Sequence, residues 1–278
     1  MEVLPKFISI IAFFYIFQFI LFVNSTNITN KIIIITPTYK RITRYPDIIR
    51  LANTLQHLSE IHWIIIEDGH KKSSGVERIL NNTNIPFTYI ASKTPSGIPK
   101  RGWWQRDKAL DLLISSKSKF IKPNQKGIVY FADDDNSYDL RLFNNYIRNV
   151  KKIGVWAVAF SSSPIEAPIV KNGKVVGFQS YYAPNRKFAM DMASFAISLD
   201  LFISKPNVRF TMDPSKYSQS PEPILLTGLG IEREDLEPFG YNSKIKEVFV
   251  YHTKTKNPIP SFSKRKNHTN FGFDIEFP

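Results

Sequence analysis

The sequence predicts an α/β fold in which helices cover both faces of a mostly parallel β-sheet. Three observations predict it. Between Lys31 and Ala132, short β-branched apolar runs alternate with stretches whose apolar residues recur at helical spacing. Two of those runs stop on acidic residues, at Glu67-Asp68 and at Asp133-Asp134-Asp135, and the carboxyl edge of such a sheet is where ligands bind. The 278 residues, 43% hydrophobic and 14% aromatic, are enough to bury one large core or two lobes that share one.

The first element stands apart from the sheet. Phe7–Val23 is an apolar run broken only by Ser9 and Gln18. It lies at the short end of a membrane span, since about 20 residues cross a typical bilayer and slightly fewer suffice in thin secretory membranes. As a signal anchor it leaves residues 1–6 as a cytoplasmic tail and 24–30 as a short stem. As a cleaved signal it would be cut near Val23-Asn24-Ser25, an imperfect site. Both readings deliver the rest of the chain to the secretory lumen. The sequons at Asn24, Asn27, Asn81 and Asn267 are candidate glycosylation sites in keeping with that compartment.

Ile32–Thr36 then reads as a buried strand ended by Pro37. Asp47–Leu58 carries Ile48, Ile49, Leu51, Ala52, Leu55 and Leu58, a helical stripe. Trp63–Ile66 is a second strand, Pro86–Ile90 a third, Gln105–Leu113 a second helix, and Gly127–Ala132 a further buried strand. The second half changes character. Val155–Phe160 reads as a strand, and Val170–Phe178 as a hairpin turning at Asn172-Gly173, a dipeptide suited to tight turns. Gly228–Pro238 reads as loop, Val248–His252 as a late strand, and 261–278 as a polar, basic tail.

Composition narrows the partners. A formal net charge of +13 points to something anionic: nucleic acid, a phosphorylated small molecule or an acidic membrane. The basic residues are spread along the chain and no nucleic-acid-binding signature occurs, so no nucleic-acid partner is expected. With no cysteine, disulfides, Cys-ligated zinc and thiol catalysis are excluded. The strongest chemical signal is the acidic triplet. Three adjacent carboxylates repel one another, and a hard divalent cation that also binds phosphate oxygens would balance them. A solvated acidic turn with Asn136 as a helix cap is the plainer alternative, but the five apolar residues before the triplet fix it at the ligand edge of the sheet.

Tyr130-Phe131-Ala132-Asp133-Asp134-Asp135-Asn136-Ser137-Tyr138 resembles the metal-binding signature of the animal β-1,3-glucuronyltransferases, GT-A-fold enzymes that build the proteoglycan linkage region and the HNK-1 epitope. Further segments are similar to that family's pattern and keep its order. Thr36-Pro37-Thr38-Tyr39, His62-Trp63, Glu67-Asp68, Arg101-Gly102 and Gln105-Arg106 precede the triplet. Gly177-Phe178, Asp191-Met192-Ala193, Asp235-Leu236-Glu237-Pro238 and His252-Thr253-Lys254-Thr255 follow it.

Position by position, the resemblance implies that Tyr39 and Asp68 hold the uracil and that Arg101 and Arg106 line the donor pocket. Asp133 and Asp134 would bind ribose and donor-sugar hydroxyls, and Asp135 would ligate Mn²⁺ on the diphosphate. His252 would select glucuronate, and Lys254, where relatives usually carry Arg, would contact the donor. Glu166, Arg186 and Asp191 match acceptor positions, with Tyr182 as the aromatic platform for galactose. Asp191 could instead be a buried, hydrogen-bonded structural carboxylate. Glu222 matches the catalytic base only with a one-residue offset before Asp235, and Pro221 and Pro223 on either side depart from the family pattern.

The implied protein is thus a GT-A-type transferase with a Rossmann-like UDP-sugar half over 31–136 and a mixed-sheet acceptor half over 137–260. It would be an inverting, Mn²⁺-dependent enzyme anchored as a single-pass type II protein in the Golgi membrane, its catalytic domain luminal. It would move glucuronic acid from UDP-glucuronate to the terminal galactose of a proteoglycan or glycoprotein glycan. A same-fold transferase using another UDP-sugar, and a silent glycan- or UDP-binding relative, are the alternatives. The sequence leaves open whether two copies form a homodimer.

Overall fold

Alternating runs and stripes do build a sheet. The structure, a computed structural model, describes residues 30–160, 163–242, 244–253 and 255. The elements in chain order are β1 (Lys31–Thr38), α1 (Arg44–Leu55), β2 (Ile61–Glu67), α2 (Ser74–Asn81), β3 (Phe87–Ala91), α3 (Trp103–Ser115), α4 (Lys117–Phe120), β4 (Gly127–Phe131) and β5 (Ser137–Tyr138). They continue with β6 (Ile153–Val155), β7 (Val158–Phe160), β8 (Ser163–Lys171), β9 (Lys174–Gln179), β10 (Phe195–Ser198), α5 (Leu199–Ser204), α6 (Pro221–Gly228), β11 (Leu236–Pro238) and β12 (Val250–His252). The run Phe7–Val23 and the tail 261–278 lie outside the described residues. Among the described residues no helix is long and apolar enough to cross a membrane.

A seven-stranded sheet runs β11-β6-β10-β4-β1-β2-β3, and a five-stranded one β5-β12-β7-β8-β9. In the first, β3, β2, β1 and β4 are mutually parallel, and β10 is antiparallel to both its neighbours. In the second, β12 is parallel to β7 and antiparallel to β5, so both sheets are mixed, in an α/β fold of the kind the resemblance implies. Side chains of successive strand residues point to opposite faces, which sorts the isoleucines of β1. Ile33 and Ile35 join Trp103, Leu110 and Leu113 of α3 on one face, while Ile32 and Ile34 join Ile48, Leu51 and Leu55 of α1 on the other. A strand covered on both faces reads as a continuous apolar run, and this one did.

Four expectations need correction. β1 does not stop at Pro37 but continues to Thr38. The Lys31 amide donates toward Lys126 and the Ile32 amide toward Glu60, so odd-numbered residues donate on the β4 side. Pro37 falls on that side after β4 has ended opposite Ile35, and no ladder bond is lost. Helix α1 begins at Arg44, earlier than its apolar stripe, because Arg44 and Asp47 are buried as ion pairs that hydropathy does not register. The run Val155–Phe160 is two strands in different sheets. Trp156 turns between them, its amide donating to the Ser194 carbonyl and its indole N–H to that of Ala193. The stretch Gly228–Pro238 contains β11, which pairs in parallel with β6. The hairpin is as expected: Asn172 and Gly173 have φ of +50° and +74°, the left-handed pair that a two-residue turn requires.

Candidate active site

The carboxyl ends of β1, β2, β3 and β4 and the start of α3 surround a cavity of about 550 Å³, a size usual for small-molecule sites. All but β3 bring residues singled out by sequence: Tyr39 just after β1, Asp68 just after β2, Arg101 and Arg106 around the start of α3, and the triplet just after β4. Gly102 makes the approach possible. It caps α3 at φ +74°, and a Cβ there would meet Pro37 at 2.8 Å, so a side chain would push α3 off β1.

The three aspartates of the triplet have three different fates. Asp133 is ion-paired to Arg106, whose other terminal nitrogen donates to the Arg101 carbonyl at 2.9 Å. Asp134 is buried, and its oxygens take the Thr38 hydroxyl at 2.8 Å and the Arg41 guanidinium at 2.8 and 3.1 Å. Asp135 is different: no described residue donates to its carboxylate. Burial, with Asp133 and Asp134 alongside, pushes its pKa up to about 6. Among the described residues no three His, Cys, Asp or Glu side chains converge on a metal position. A lone carboxylate on the cavity wall, free of described donors, fits a hard divalent ion as its one protein ligand, with the other positions left for diphosphate oxygens and water.

Asp68 accepts from the Thr94 amide and hydroxyl, both at 2.8 Å, and Gln105 in turn donates to Thr94. Tyr39 is 56% exposed, a ring free to stack on a planar ligand, with the Arg41 guanidinium 5.1 Å from its centre. Arg101 stands exposed on the cavity rim.

The acceptor candidates form a second group. Arg186 is its centre: one terminal nitrogen lies 3.4 Å from Glu222 and 2.7 Å from the Ser220 hydroxyl, the other 3.6 Å from Glu166. Its guanidinium lies over the ring of Tyr182, which is 60% exposed. The prolines beside Glu222 are compatible with the start of a helix. Pro221 opens α6, where no amide is needed, and Glu222 sits in the helix's first turn, which favours a negative charge. Burial pushes the Glu222 carboxyl up to about 7, against the opposing pull of Arg186.

Asp191 joins the two groups. One oxygen caps the Ala193 amide at 2.8 Å, and the other accepts from His252 Nδ1 at 2.9 Å. That bond raises His252 to about 9, making it an imidazolium at neutral pH, stacked on Phe160 with ring centres 4.9 Å apart. Asp191 also bears electrostatically on Glu222, and Asp133 and Asp135 bear on His252. Asp191, singled out as an acceptor contact, thus has both its oxygens engaged within the chain. Asn81 is exposed at the end of α2, while Lys254, Asn24, Asn27 and Asn267 lie outside the described residues.

Sequence reasoning missed Arg41, Arg50 and Thr94. The signals were there in part: Arg41 follows Tyr39 at the ligand edge, and Arg50 stands three residues after Asp47 on one helix face.

Residues 51–256 match the model of glycosyltransferase family 43. The chain is 37% identical over 244 residues to the Caenorhabditis elegans galactosylgalactosylxylosylprotein 3-beta-glucuronosyltransferase sqv-8, covering 83% of this chain and 65% of that protein. It is 36% identical to the Mus musculus enzyme 3 of that name, covering 82% of this chain and 71% of the relative. With Homo sapiens enzyme 1 it shares 35% identity, over 87% of this chain and 74% of the relative. Among solved structures, S. aureus TarS 1–349 superposes with a TM-score of 0.51 at 14% identity, over 80% of this chain and 60% of that one, a likeness of fold alone. The match spans most of the chain, and the chain belongs to glycosyltransferase family 43.

Proposed function

We propose that this chain transfers glucuronic acid from UDP-glucuronate to the terminal galactose of a glycan, with inversion; its relatives are named as 3-beta-glucuronosyltransferases. The observation that carries the reading is a pair of unlike carboxylates. Asp135 faces the donor cavity with no described donor on it, and Glu222 is buried against Arg186 with a pKa near working pH. A leaving diphosphate needs its charge offset, and an attacking hydroxyl needs a proton acceptor.

In this reading Tyr39 stacks on the uracil, Asp68 accepts from it, and Asp135 holds a divalent cation, Mn²⁺ by family resemblance. When bound, that ion offsets charge on the departing diphosphate. His252, held as an imidazolium by Asp191, provides a positive charge that favours an anionic sugar over a neutral one. Glu166 and Arg186 orient the acceptor, Tyr182 stacks on its apolar face, and Glu222 takes the proton from the attacking hydroxyl. Arg186 keeps Glu222 ionisable despite burial. The luminal, Golgi-anchored topology belongs to the same proposal and rests on Phe7–Val23 and the sequons.

The test is UDP release with a panel of UDP-sugars and galactose-ended acceptors. UDP-glucuronate should be the preferred donor. Preference for UDP-glucose or UDP-galactose would overturn the glucuronate assignment, and no turnover with any donor would favour the silent-relative alternative.

A further inference from the structure

The carboxylate of Asp135 has no described donor, yet its main-chain carbonyl has two. Arg50 Nη2, from α1 and 85 residues upstream, donates to it at 2.8 Å. The Thr253 hydroxyl, 118 residues downstream and next to His252, donates to it as well. A carbonyl has two lone pairs, and both are taken here by side chains from opposite ends of the described chain.

Behind these contacts stands Asp47, fully buried in the first turn of α1. It accepts from Arg50 at 3.2 Å, from Arg41 at 2.8 Å and from the Thr255 hydroxyl at 2.6 Å. Arg41 continues to Asp134. One buried carboxylate therefore fixes the guanidinium that grips Asp135, the guanidinium that neutralises Asp134, and Thr255, three residues beyond His252. This posture has a cost: among the described residues the buried Arg50 Nε has no hydrogen-bond partner.

We propose that Arg50 is a positioning residue for the metal-binding carboxylate of Asp135, and that by sharing one carbonyl Arg50 and Thr253 couple the aim of Asp135 to the seating of His252. The proposal rests on the reading of Asp135 as the metal ligand. With no described donor on the carboxylate, the main chain alone limits where its rotamers can reach, and that main chain is held at the carbonyl. Loosening either grip lets the peptide plane turn and swings the carboxylate away from where an ion would sit. A ligand that tightens the site from the donor side must also hold the Thr253 end more firmly, because coupling of this kind is reciprocal. Arg50 is well suited to substitution, since its side chain is 40% exposed and the apolar faces of α1 do not depend on it.

The experiment measures Mn²⁺ binding in the presence of UDP by calorimetry on the unreacted protein, for wild type, Arg50→Ala, Arg50→Lys, Thr253→Val and Asp135→Asn. Thermal unfolding without ligand is recorded alongside. Arg50→Ala should weaken Mn²⁺ binding roughly ten-fold, the scale that one charge-assisted hydrogen bond commands. Thr253→Val should weaken it by less, Arg50→Lys should recover part of the loss, and unliganded unfolding should move little. Wild-type Mn²⁺ affinity in Arg50→Ala and Thr253→Val would overturn the proposal, as would a loss of unliganded stability with affinity unchanged. Wild-type affinity in Asp135→Asn would instead overturn the metal-ligand reading, and the two failures are thereby told apart.

Discussion

Replacing Arg186 by methionine removes the cation that faces Glu222 at 3.4 Å while keeping the bulk of the stem. In the wild type two effects oppose each other on that carboxyl: burial raises its pKa and Arg186 lowers it, leaving it at about 7. A base works only when ionised, so activity must rise with pH, about ten-fold per unit below the break, and level off above about 7. At pH 6 roughly a tenth of the plateau should remain. An opposite charge at this distance commonly lowers a carboxyl by about 1–3 units. Without it the break should move up by one to two units on that scale, toward pH 8 or 9. The assay is the pH dependence of kcat at saturating donor and acceptor, which reports the bound complex and separates the titration from any loss of acceptor affinity. A break that stays at 7 in Arg186→Met would refute the electrostatic pairing. A wild-type break near 4.5, or substantial turnover in Glu222→Gln, would refute Glu222 as the base.

The same shift makes a statement about stability. The folded pKa of Glu222 is raised above its ordinary value of 4.5, so the contribution is intact below 4.5 and is lost as pH rises toward and through about 7. Glu222→Gln does not titrate and should gain on the wild type across that window. The gain is bounded at about 3 kcal/mol by the size of the shift and should show as a higher unfolding midpoint at pH 8 than at pH 4 relative to wild type.

Three further outcomes follow from other residues. Asp135→Ala should lower turnover by roughly three orders of magnitude, since an ion on a diphosphate leaving group contributes several kcal/mol; full activity in EDTA would contradict this. His252 carries its charge below about pH 9, so KM for UDP-glucuronate should climb as pH rises past 9, and His252→Ala should relax discrimination against UDP-glucose in the donor panel. Full-length protein should resist carbonate extraction because of Phe7–Val23, and recovery of soluble chain starting near Asn24 would identify a cleaved signal instead.

How much of this was legible depended on whether a residue's neighbours lay close in sequence. The strands β1, β2 and β4 declared themselves because both their faces are buried and nothing polar interrupts them. Strands β6 and β11 have three residues each, and β10 has four, too short for a periodicity, and they are strands only because each finds a partner in the sheet. The start of α1 was misplaced because Arg44 and Asp47 are buried by ion pairs reaching 23 and 6 residues away. At the site, the triplet and the Glu222 region could be seen as motifs. What the motif could not convey is that Asp133 and Asp134 are each already matched to an arginine.

That matching has a consequence for the chemistry of the triplet. Three carboxylates in a row would bind a cation strongly but also hold a large uncompensated charge against the diphosphate that must share the site. Arg106 and Arg41 remove most of that charge at Asp133 and Asp134, and leave the Asp135 carboxylate without a direct ion pair among the described residues, only the more distant pull of Arg41 and His252. The proposed cation is thus offered one carboxylate rather than a cage, and the positive charges around the cavity remain for the donor's own anionic groups. A site arranged this way should hold the metal weakly without nucleotide and firmly with it. Calorimetry on the wild type can measure this directly: Mn²⁺ affinity should rise at least ten-fold on adding UDP, equivalent to about 1.4 kcal/mol of coupling. Equal affinity with and without UDP would mean that the protein alone completes the ion's coordination, and this account of the triplet would fail.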